Sequence, residues 1–274
     1  MEQDPDSFEQ EQIEKPVKTD FKSILAGVSE LNKKQIQKIY VPTICDYVSF
    51  KPLTIKQQKT ILSSGVDTQI ENMSFSNTMN EIILENCLSS KNKIKSIDKP
   101  LILLQLRQHA VGDVLVIREG EQEYKINITD QVDKVKEEFT DKTNTTFETT
   151  TNGVTITGEI PDLSTDTKFN KQFTKNVKKS GNTRLKLTDV VGDIYIHEMV
   201  KYVKSVSLGD NQINTDDLSV SQTIELFENL PMNISNSVAT EIKQIREIEI
   251  QSLSSDILPE GVQIGMDASL FTGE

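Results

Sequence analysis

The sequence predicts an α+β protein that is mainly helical, with a small antiparallel β region in its middle and extended termini. Three observations indicate this class. Apolar residues recur at helical spacing before residue 113 and again after residue 161. Between these halves, over residues 114–160, the apolar pattern shortens to a period of two, which is typical of strands. The first segment is strongly acidic and the last contains several Gly and Pro residues, so neither end is predicted to form a long helix.

Residues 1–20 are predicted to form an acidic tail that is disordered or becomes ordered on a partner. Six acidic residues precede the first base, Lys15. A segment of this composition buries too little apolar surface to offset the entropy lost on ordering. Residues 21–38 then favour a helix. Its apolar side chains at helical spacing are Ile24, Leu25, Val28 and Leu31.

The next segment is predicted to contain a hairpin followed by three helices. Two β-prone stretches over residues 39–50 flank Asp46 and predict the hairpin. Thr54 and Gln57 have the spacing of a capping box, which marks the start of a helix. Asp98 is expected to cap the third helix. The predicted helices of this region span residues 54–64, 68–89 and 98–110.

Two hairpins are predicted for the β region, over residues 114–128 and 145–160. In the second hairpin, Asn152 and Gly153 supply the positive φ angles of a type I′ turn. The last hundred residues return to helical spacing and end in a segment that contains Pro and Gly. The predicted helices there span residues 165–180, 188–204, 218–229 and 234–252.

These elements divide the chain into five predicted parts. Because the last part carries only isolated apolar side chains, removal of the residues after Leu258 is expected to leave the fold intact and to weaken assembly. The parts are an acidic tail (1–20), a hairpin and helical region (21–113), an antiparallel β region (114–160), a C-terminal helical region (161–256) and an extended C-terminal tail (257–274).

The composition excludes several classes of function. The chain has 274 residues, and its 42 acidic and 30 basic residues give a formal charge of −12. This charge opposes binding to nucleic acid or to an anionic membrane, since both need a basic surface. Two cysteines and two histidines are too few, and too far apart, for a structural zinc site or a disulfide scaffold. The N-terminus lacks the basic and apolar regions of a signal peptide, so we expect the protein to be made in a reducing cytoplasm.

The sequence offers one constellation that a metal-dependent enzyme could use. Asp189, Asp193 and His197 fall at i, i+4 and i+8 on a predicted helix, so one face could present two carboxylates and an imidazole to a divalent ion. In the other interpretation, Asp189 caps this helix and the remaining side chains face solvent. No second carboxylate cluster, glycine-rich phosphate loop or nucleophile elbow accompanies them in the sequence. We therefore expect no catalytic residue, no bound metal and no cofactor.

A basic amphipathic segment occurs within this acidic chain. Residues 168–188 contain seven basic residues and no acid. Phe169, Phe173 and Val177 form an apolar stripe along the segment at i, i+4 and i+8. Three interpretations stay open: docking on an acidic partner, contact with nucleic acid, and neutralisation of the chain's own acidic segments. The overall negative charge favours the first and the third.

Three stretches of the chain resemble a known family. Residues 47–59 (YVSFKPLTIKQQK) pass from a strand through a Pro-containing corner into a capped helix. Residues 103–113 (LLQLRQHAVGD) form a helix that ends in Val-Gly-Asp ahead of a hairpin. The third stretch is a predicted pair of late helices, 199–210 and 218–231. Together they resemble the baseplate hub subunit, or hub assembly protein, family of T-even-type contractile-tailed phages.

The resemblance implies a virion-assembly protein of the tail baseplate with no chemistry of its own. It implies other hub or tail-tube proteins as partners, in an assembly that can be symmetric, and a location in the virion after assembly in the host cytoplasm. Three alternatives stay open: a transient hub-assembly chaperone absent from the mature virion, the metal-dependent enzyme described above, and a cellular adaptor that shares only short patterns. Partner contacts are expected at Lys171, Lys175, Lys178, Lys179, Leu270 and Phe271.

Overall fold

A computed structural model describes residues 20–64, 69–139, 144–179 and 187–272. Of residues 69–72, 176–179, 187–191 and 193 it describes the backbone alone. The chain separates into two units, residues 1–35 and 36–274. The fold class predicted from the sequence, α+β and mainly helical, is confirmed.

The described part of the first unit contains one helix, α1 (Phe21–Lys34). The Asp20 side chain accepts a hydrogen bond from the Ser23 backbone N–H at 2.9 Å, which begins the helix. Lys33 and Lys34 lie in the last turn, where positive charge offsets the negative end of the helix dipole. Capping and dipole signals therefore define both ends of α1 from its own sequence.

The second unit combines helices and short strands. Its helices are α2 (Ile55–Ser64), α3 (Gln69–Asn86), α4 (Lys99–Ala110), α5 (Ile128–Glu138), α6 (Leu163–Lys179), α7 (Leu187–Val200), α8 (Val220–Glu228), α9 (Met232–Ile245) and α10 (Glu247–Leu253). Its strands are β1 (Gln37–Val41), β2 (Asp46–Phe50), β3 (Val114–Glu119), β4 (Gln122–Asn127), β5 (Thr146–Thr151), β6 (Val154–Glu159), β7 (Val203–Leu208) and β8 (Asn211–Asn214).

The strands form antiparallel sheets. β1 pairs with β2 and β3 pairs with β4 as two-stranded hairpins, whereas β5 to β8 form a four-stranded sheet in chain order. At the turn between β5 and β6, Asn152 and Gly153 have φ angles of 53° and 77°, which agree with the predicted turn. Both hairpins predicted for the middle of the chain are present, and the second one is extended by two later strands.

The late helix predicted over residues 199–210 is wrong, because most of this stretch forms β7 and the turn into β8. α7 ends at Val200, and from Val203 onward the chain pairs with β6. The side chains of Val203 and Val206 are buried in the core, and Gly209 makes the turn with a φ angle of 58°. Pairing with a strand far back in the sequence has overridden the local helical spacing.

The helix predicted over residues 234–252 is two helices, since α9 ends at Ile245 and α10 begins at Glu247. The intervening Arg246 has φ −92° and ψ 9°, outside the helical range. Its Nε atom donates a hydrogen bond to Glu249 Oε2 at 2.7 Å. Neither Gly nor Pro occurs at the break, so the sequence carries no local signal for it.

The two predicted helix caps have different outcomes. Thr54 and Gln57 form the predicted capping box, with N–O distances of 3.0 and 3.2 Å. Asp98 does not cap α4 with its side chain. Its carboxylate instead accepts hydrogen bonds from the backbone N–H groups of Lys95 at 2.8 Å and Thr43 at 2.9 Å, and from the Thr43 hydroxyl at 2.6 Å. The reason is that Asp98 already has helical backbone angles at the end of a 3-10 turn, so its carboxylate serves that turn.

Two hydrophobic cores hold the second unit together. The first core joins the β1–β2 sheet, the α2–α5 helices and the C-terminal segment. The second core joins the four-stranded sheet to α8, α9 and the end of α7. The α9 stripe predicted from spacing is buried in the second core; its residues are Ile234, Val238, Ile242 and Ile245.

Candidate functional site: a basic surface and a buried ion-pair cluster

The first part of the predicted basic segment, residues 168–179, lies in α6, whereas residues 180–186 of the segment lie outside the described residues. Phe169 and Phe173 lie on the inner face of α6 and are each 7% exposed, whereas Lys171 and Lys175 are exposed. These two members of the apolar stripe are therefore part of the protein interior, whereas the side chain of Val177 lies outside the described residues. We call Lys171 and Lys175, together with the α3 residues that line the groove beside them, the basic surface. These α3 residues are Ser74, Asn77, Thr78 and Glu81.

The basic surface is partly neutralised by the chain itself. Lys171 Nζ lies 2.8 Å from Glu81 Oε1 on α3, and both side chains are 61% exposed. An exposed pair of this kind adds only about 0–1 kcal/mol to stability. The contact supports the interpretation of self-neutralisation at Lys171. The side chains of Lys178 and Lys179 lie outside the described residues, so their predicted contacts stay predictions.

A polar groove runs beside this ion pair, between α3 and α6. Its volume is about 550 Å³. The Asn77 Oδ1 atom is buried and has no hydrogen-bond partner among the described residues. Hydroxyl, amide, ammonium and carboxylate groups in one groove can hydrogen-bond a polar segment of another protein. The lining residues are Ser74, Asn77, Thr78, Glu81, Lys171, Thr174 and Lys175.

A buried ion-pair cluster ties α3, α4, α6 and the end of α7 together. Asp166 is 2% exposed, and its carboxylate lies 2.8 Å from Lys201 Nζ and 3.3 Å from Lys99 Nζ. The Asn80 side-chain amide donates a hydrogen bond to the same carboxylate at 2.8 Å. Lys201 Nζ also lies 2.5 Å from the Glu198 carboxylate. These five residues define the cluster.

Electrostatic interactions keep the cluster charged at neutral pH. Burial by itself raises the pKa of Asp166, but the ammonium groups of Lys99 and Lys201 outweigh it and hold the pKa well below its usual range. Burial likewise lowers the pKa of Lys201, yet the carboxylates of Glu198 and Asp166 raise it by more, so it lies above its usual range. Because Asp166 stays ionised and is already hydrogen-bonded, the cluster links the helices that carry it and does not act as a proton acceptor.

The ion-pair cluster has only a faint signal in the sequence. Asp166 lies 86 positions from Asn80 and 35 positions from Lys201, so no local pattern joins them. The one local sign is that Asp166 occurs at i, i+3 and i+7 with Phe169 and Phe173, on the apolar stripe of α6. A carboxylate on an apolar stripe needs a buried partner, and this requirement is what could have predicted the cluster.

A cavity of about 610 Å³ adjoins the cluster. Its volume lies in the range of small-molecule sites. Its cations are already paired, since the cluster lysines bind the cluster carboxylates and Arg246 binds Glu249. The remaining charged lining residue, Asp267, accepts a hydrogen bond from the Ser269 backbone N–H at 2.8 Å. Ser96 Oγ and Asn170 Oδ1, both on lining residues, have no hydrogen-bond partner among the residues described. With its cations ion-paired and each of its carboxylates ion-paired or hydrogen-bonded, the cavity favours no single ligand chemistry.

His197, the predicted imidazole ligand, packs against the rings of two phenylalanines. It is 1% exposed, and its ring centroid lies 5.6 Å from that of Phe169 and 5.0 Å from that of Phe173. Burial lowers the pKa of His197, so the ring is neutral at pH 7. The side chains of Asp189 and Asp193 lie outside the described residues, so the predicted triad stays a prediction. Within the described ranges, no group of three or more His, Cys, Asp or Glu side chains is placed to hold a metal ion.

The second unit corresponds closely to a known family. A comparison with protein families matches residues 36–253 to the T4 bacteriophage base plate protein family. The chain belongs to this family. The match begins where the second unit of this baseplate protein begins and ends with α10. No match is found among curated proteins or among solved structures.

The resemblance to baseplate proteins of T-even-type phages, which the sequence predicted, is confirmed by this match. A baseplate protein is a component of the virion tail, and its partners are other tail or baseplate proteins. No helix in the described part of the chain has the length and apolar character needed to cross a bilayer.

The C-terminal segment of this baseplate protein packs into its own first core. Leu270 and Phe271 are 3% and 1% exposed. The Leu270 carbonyl accepts a hydrogen bond from Arg107 Nε at 3.3 Å, and the Phe271 carbonyl accepts one from Gln58 Nε2 at 3.0 Å. Both residues are therefore core residues here rather than exposed residues of a loose tail, because α2 and α4 supply an apolar surface for them. Contact with a partner at these two positions stays a prediction.

Proposed function

We propose that this chain is a non-enzymatic structural or assembly protein of the baseplate hub, which acts through contacts with other hub or tail-tube proteins. The observation that carries the proposal is the family match over residues 36–253. The hub is the finer part of the proposal. It is supported by the resemblance of residues 47–59 and 103–113 to hub subunits.

Both of these stretches contribute to the first core. In residues 47–59, the Phe50 side chain is fully buried, and in residues 103–113 the Leu104 side chain is fully buried. The resemblance therefore reflects the packing of the fold. Contacts with partners have to come from exposed side chains, such as those of the basic surface.

The environment of three reactive side chains supports a non-enzymatic role. Two lysines hold Asp166 in its ionised form, and His197 is buried against two phenylalanines of α6. Burial raises the pKa of the Cys87 thiol, which disfavours the reactive thiolate. None of these three groups is both accessible and poised for proton transfer or nucleophilic attack at neutral pH.

Deletion and complementation of the gene test the function. We expect phage without the gene to accumulate incomplete tails, and the intact gene to restore tail yield and infectious titre. Normal tails and titre after deletion would contradict a role in the baseplate.

Analysis of purified tails distinguishes the forms of the proposal. Mass spectrometry is expected to find the chain in stoichiometric amount, whereas its absence from tails that depend on it supports the transient chaperone. Electron microscopy is expected to place the chain on the tail axis, and density at the baseplate periphery would refute the hub assignment alone.

The metal-dependent alternative has its own test. Elemental analysis of the purified protein and of an Asp193→Ala variant is expected to show no metal in either. A stoichiometric metal that the variant loses would support the alternative.

A further inference from the structure

α1 carries an exposed apolar face. Its large apolar side chains are each 47–73% exposed, and no residue of the helix is buried. Contiguous apolar surface that faces solvent marks an interaction site in a soluble protein. The residues of this face are Phe21, Ile24, Leu25, Val28 and Leu31.

The apolar face forms one broad stripe. At 3.6 residues per turn, its positions fall within about 120° of the helix circumference. This width is typical of a helix that packs into a groove between several elements, whereas a two-stranded coiled coil uses a narrower seam. The 14 residues of α1 amount to only two heptads, which is too short for two copies of the helix to form a stable coil by themselves. The geometry therefore favours a preformed groove over a second copy of α1.

Basic side chains border the stripe on both sides. Lys22 lies beyond one edge and Lys34 beyond the other, each about 60° around the helix from the nearest apolar position. Lys33 lies about 80° from the nearest apolar position, on the same side as Lys22, and is paired with Glu30 at 2.7 Å. Lys22 and Lys34 form no ion pair with any described residue. An apolar stripe between two such ammonium groups complements a groove whose rim carries carboxylates.

The interior of α1 has a low intrinsic helix propensity, although both ends of the helix are well defined. Gly27 lies in the middle of the helix, where glycine destabilises a helix relative to alanine because it loses more backbone freedom on folding. A Cβ atom at this position would meet no atom within 4 Å, so contacts among the described residues do not require glycine. A helix this short and weak gains most of its stability from packing of its apolar face.

We propose that α1 docks in an apolar, carboxylate-rimmed groove on another protein of the baseplate. The inference rests on the proposed function, and it adds the element that makes the contact and the chemistry of the surface that receives it. Binding buries the stripe and places Lys22 and Lys34 against the acidic rim.

Complementation with full-length variants tests this proposal. An Ile24→Asp/Leu31→Asp variant puts two charges into the stripe, and the control Ser23→Asp/Ala26→Asp adds the same charge on the opposite face. We expect the first variant to lower the infectious titre by about 10-fold or more, because buried contact residues carry most of the binding energy. The control is expected to stay within about 2-fold of the wild type. Equal thermal unfolding of both purified variants confirms that the second unit stays folded.

A charge-reversal variant tests the rim. Lys22→Glu/Lys34→Glu is expected to lower the titre as well, because it places carboxylates against carboxylates. An unchanged titre in this variant would refute the proposal that the rim of the groove carries carboxylates.

Hydrogen exchange identifies the occupant of the apolar face. We expect the α1 amides to exchange rapidly in the dilute purified protein and to be protected in tails or assembly intermediates that contain it. Protection in the dilute protein, or protection that rises with its concentration alone, would assign the face to its own chain or to a second copy, and would overturn the proposal.

The two proposals fail in different ways. If the wild-type gene is dispensable for tails, the proposed function fails. If the wild-type gene is required but the Ile24→Asp/Leu31→Asp variant behaves like its control, only the inference about α1 fails.

Discussion

Replacement of Asp166 by Asn is expected to destabilise the fold strongly. The substitution keeps the size of the side chain but removes the charge that lies 2.8 Å from Lys201 Nζ and 3.3 Å from Lys99 Nζ. The Lys201 side chain is only 8% exposed, so among the described residues its ammonium group would keep only Glu198 as a close carboxylate. Removal of one partner from a buried ion pair costs about 3–5 kcal/mol. For a unit of this size, the melting temperature is expected to fall by about 6–20 °C.

Two further variants identify the physical cause. Lys171→Met breaks an ion pair with Glu81 in which both side chains are 61% exposed, and we expect it to change stability by about 0–1 kcal/mol. The double variant Asp166→Asn/Lys201→Met removes both charges of the buried pair. We expect its loss of stability to be smaller than the sum of the losses in the two single variants, because the double variant contains no buried Lys201 charge that lacks its Asp166 partner.

Urea unfolding at pH 7 measures these differences. Circular dichroism is the suitable probe, since the chain contains no Trp. A cost below about 1 kcal/mol for Asp166→Asn would mean that water already solvates the cluster, and would refute the reasoning from burial.

Three other substitutions test separate parts of the fold. Burial raises the pKa of Asp98 from 3.8 to about 6, so the folded state holds this proton more tightly than the unfolded chain does. The stabilisation from this protonated carboxyl is complete below pH 3.8 and is lost as the pH rises through 6. Asp98→Asn is expected to remove this pH dependence of stability, which urea midpoints measured across the same pH range would show. Phe271→Ala is expected to cost about 3–5 kcal/mol in thermal unfolding, because the Phe271 side chain is 1% exposed. In contrast to the expectation from the sequence, removal of the residues after Leu258 is therefore expected to destabilise the fold; an unchanged melting temperature would show that the packing of this segment does not stabilise the core. Gly158→Ala places a Cβ atom 2.1 Å from the Phe147 ring and is expected to cost about 1–3 kcal/mol in urea unfolding, whereas Gly192→Ala, which meets no atom within 4 Å, serves as its control.

The elements that are predictable from the sequence have causes within a few residues. The Thr54–Gln57 capping box joins groups three positions apart, and the β5–β6 turn depends on the conformational freedom of Asn152 and Gly153 themselves. The α9 stripe follows from helical spacing alone. Local signals of this kind also predicted the two middle hairpins and the basic segment, since charge and β propensity can be read residue by residue, whereas the α3 residues that face the lysines have no such signal.

The features that only the tertiary structure decided depend on partners far away in the sequence. β7 is a strand because β6 lies beside it, and Asp166 is a buried anion because Asn80, 86 positions away, packs against it with two lysines. Phe271 is a core residue because α2 and α4 cover its side chain, and Gln58 on α2, 213 positions away, also donates a hydrogen bond to its carbonyl group. A sequence pattern shows that a side chain is apolar or charged, but its burial depends on which distant element covers it. For this reason the sequence by itself determined the fold class and the local elements, whereas tertiary packing determined the ion-pair cluster and the place of the C-terminal segment.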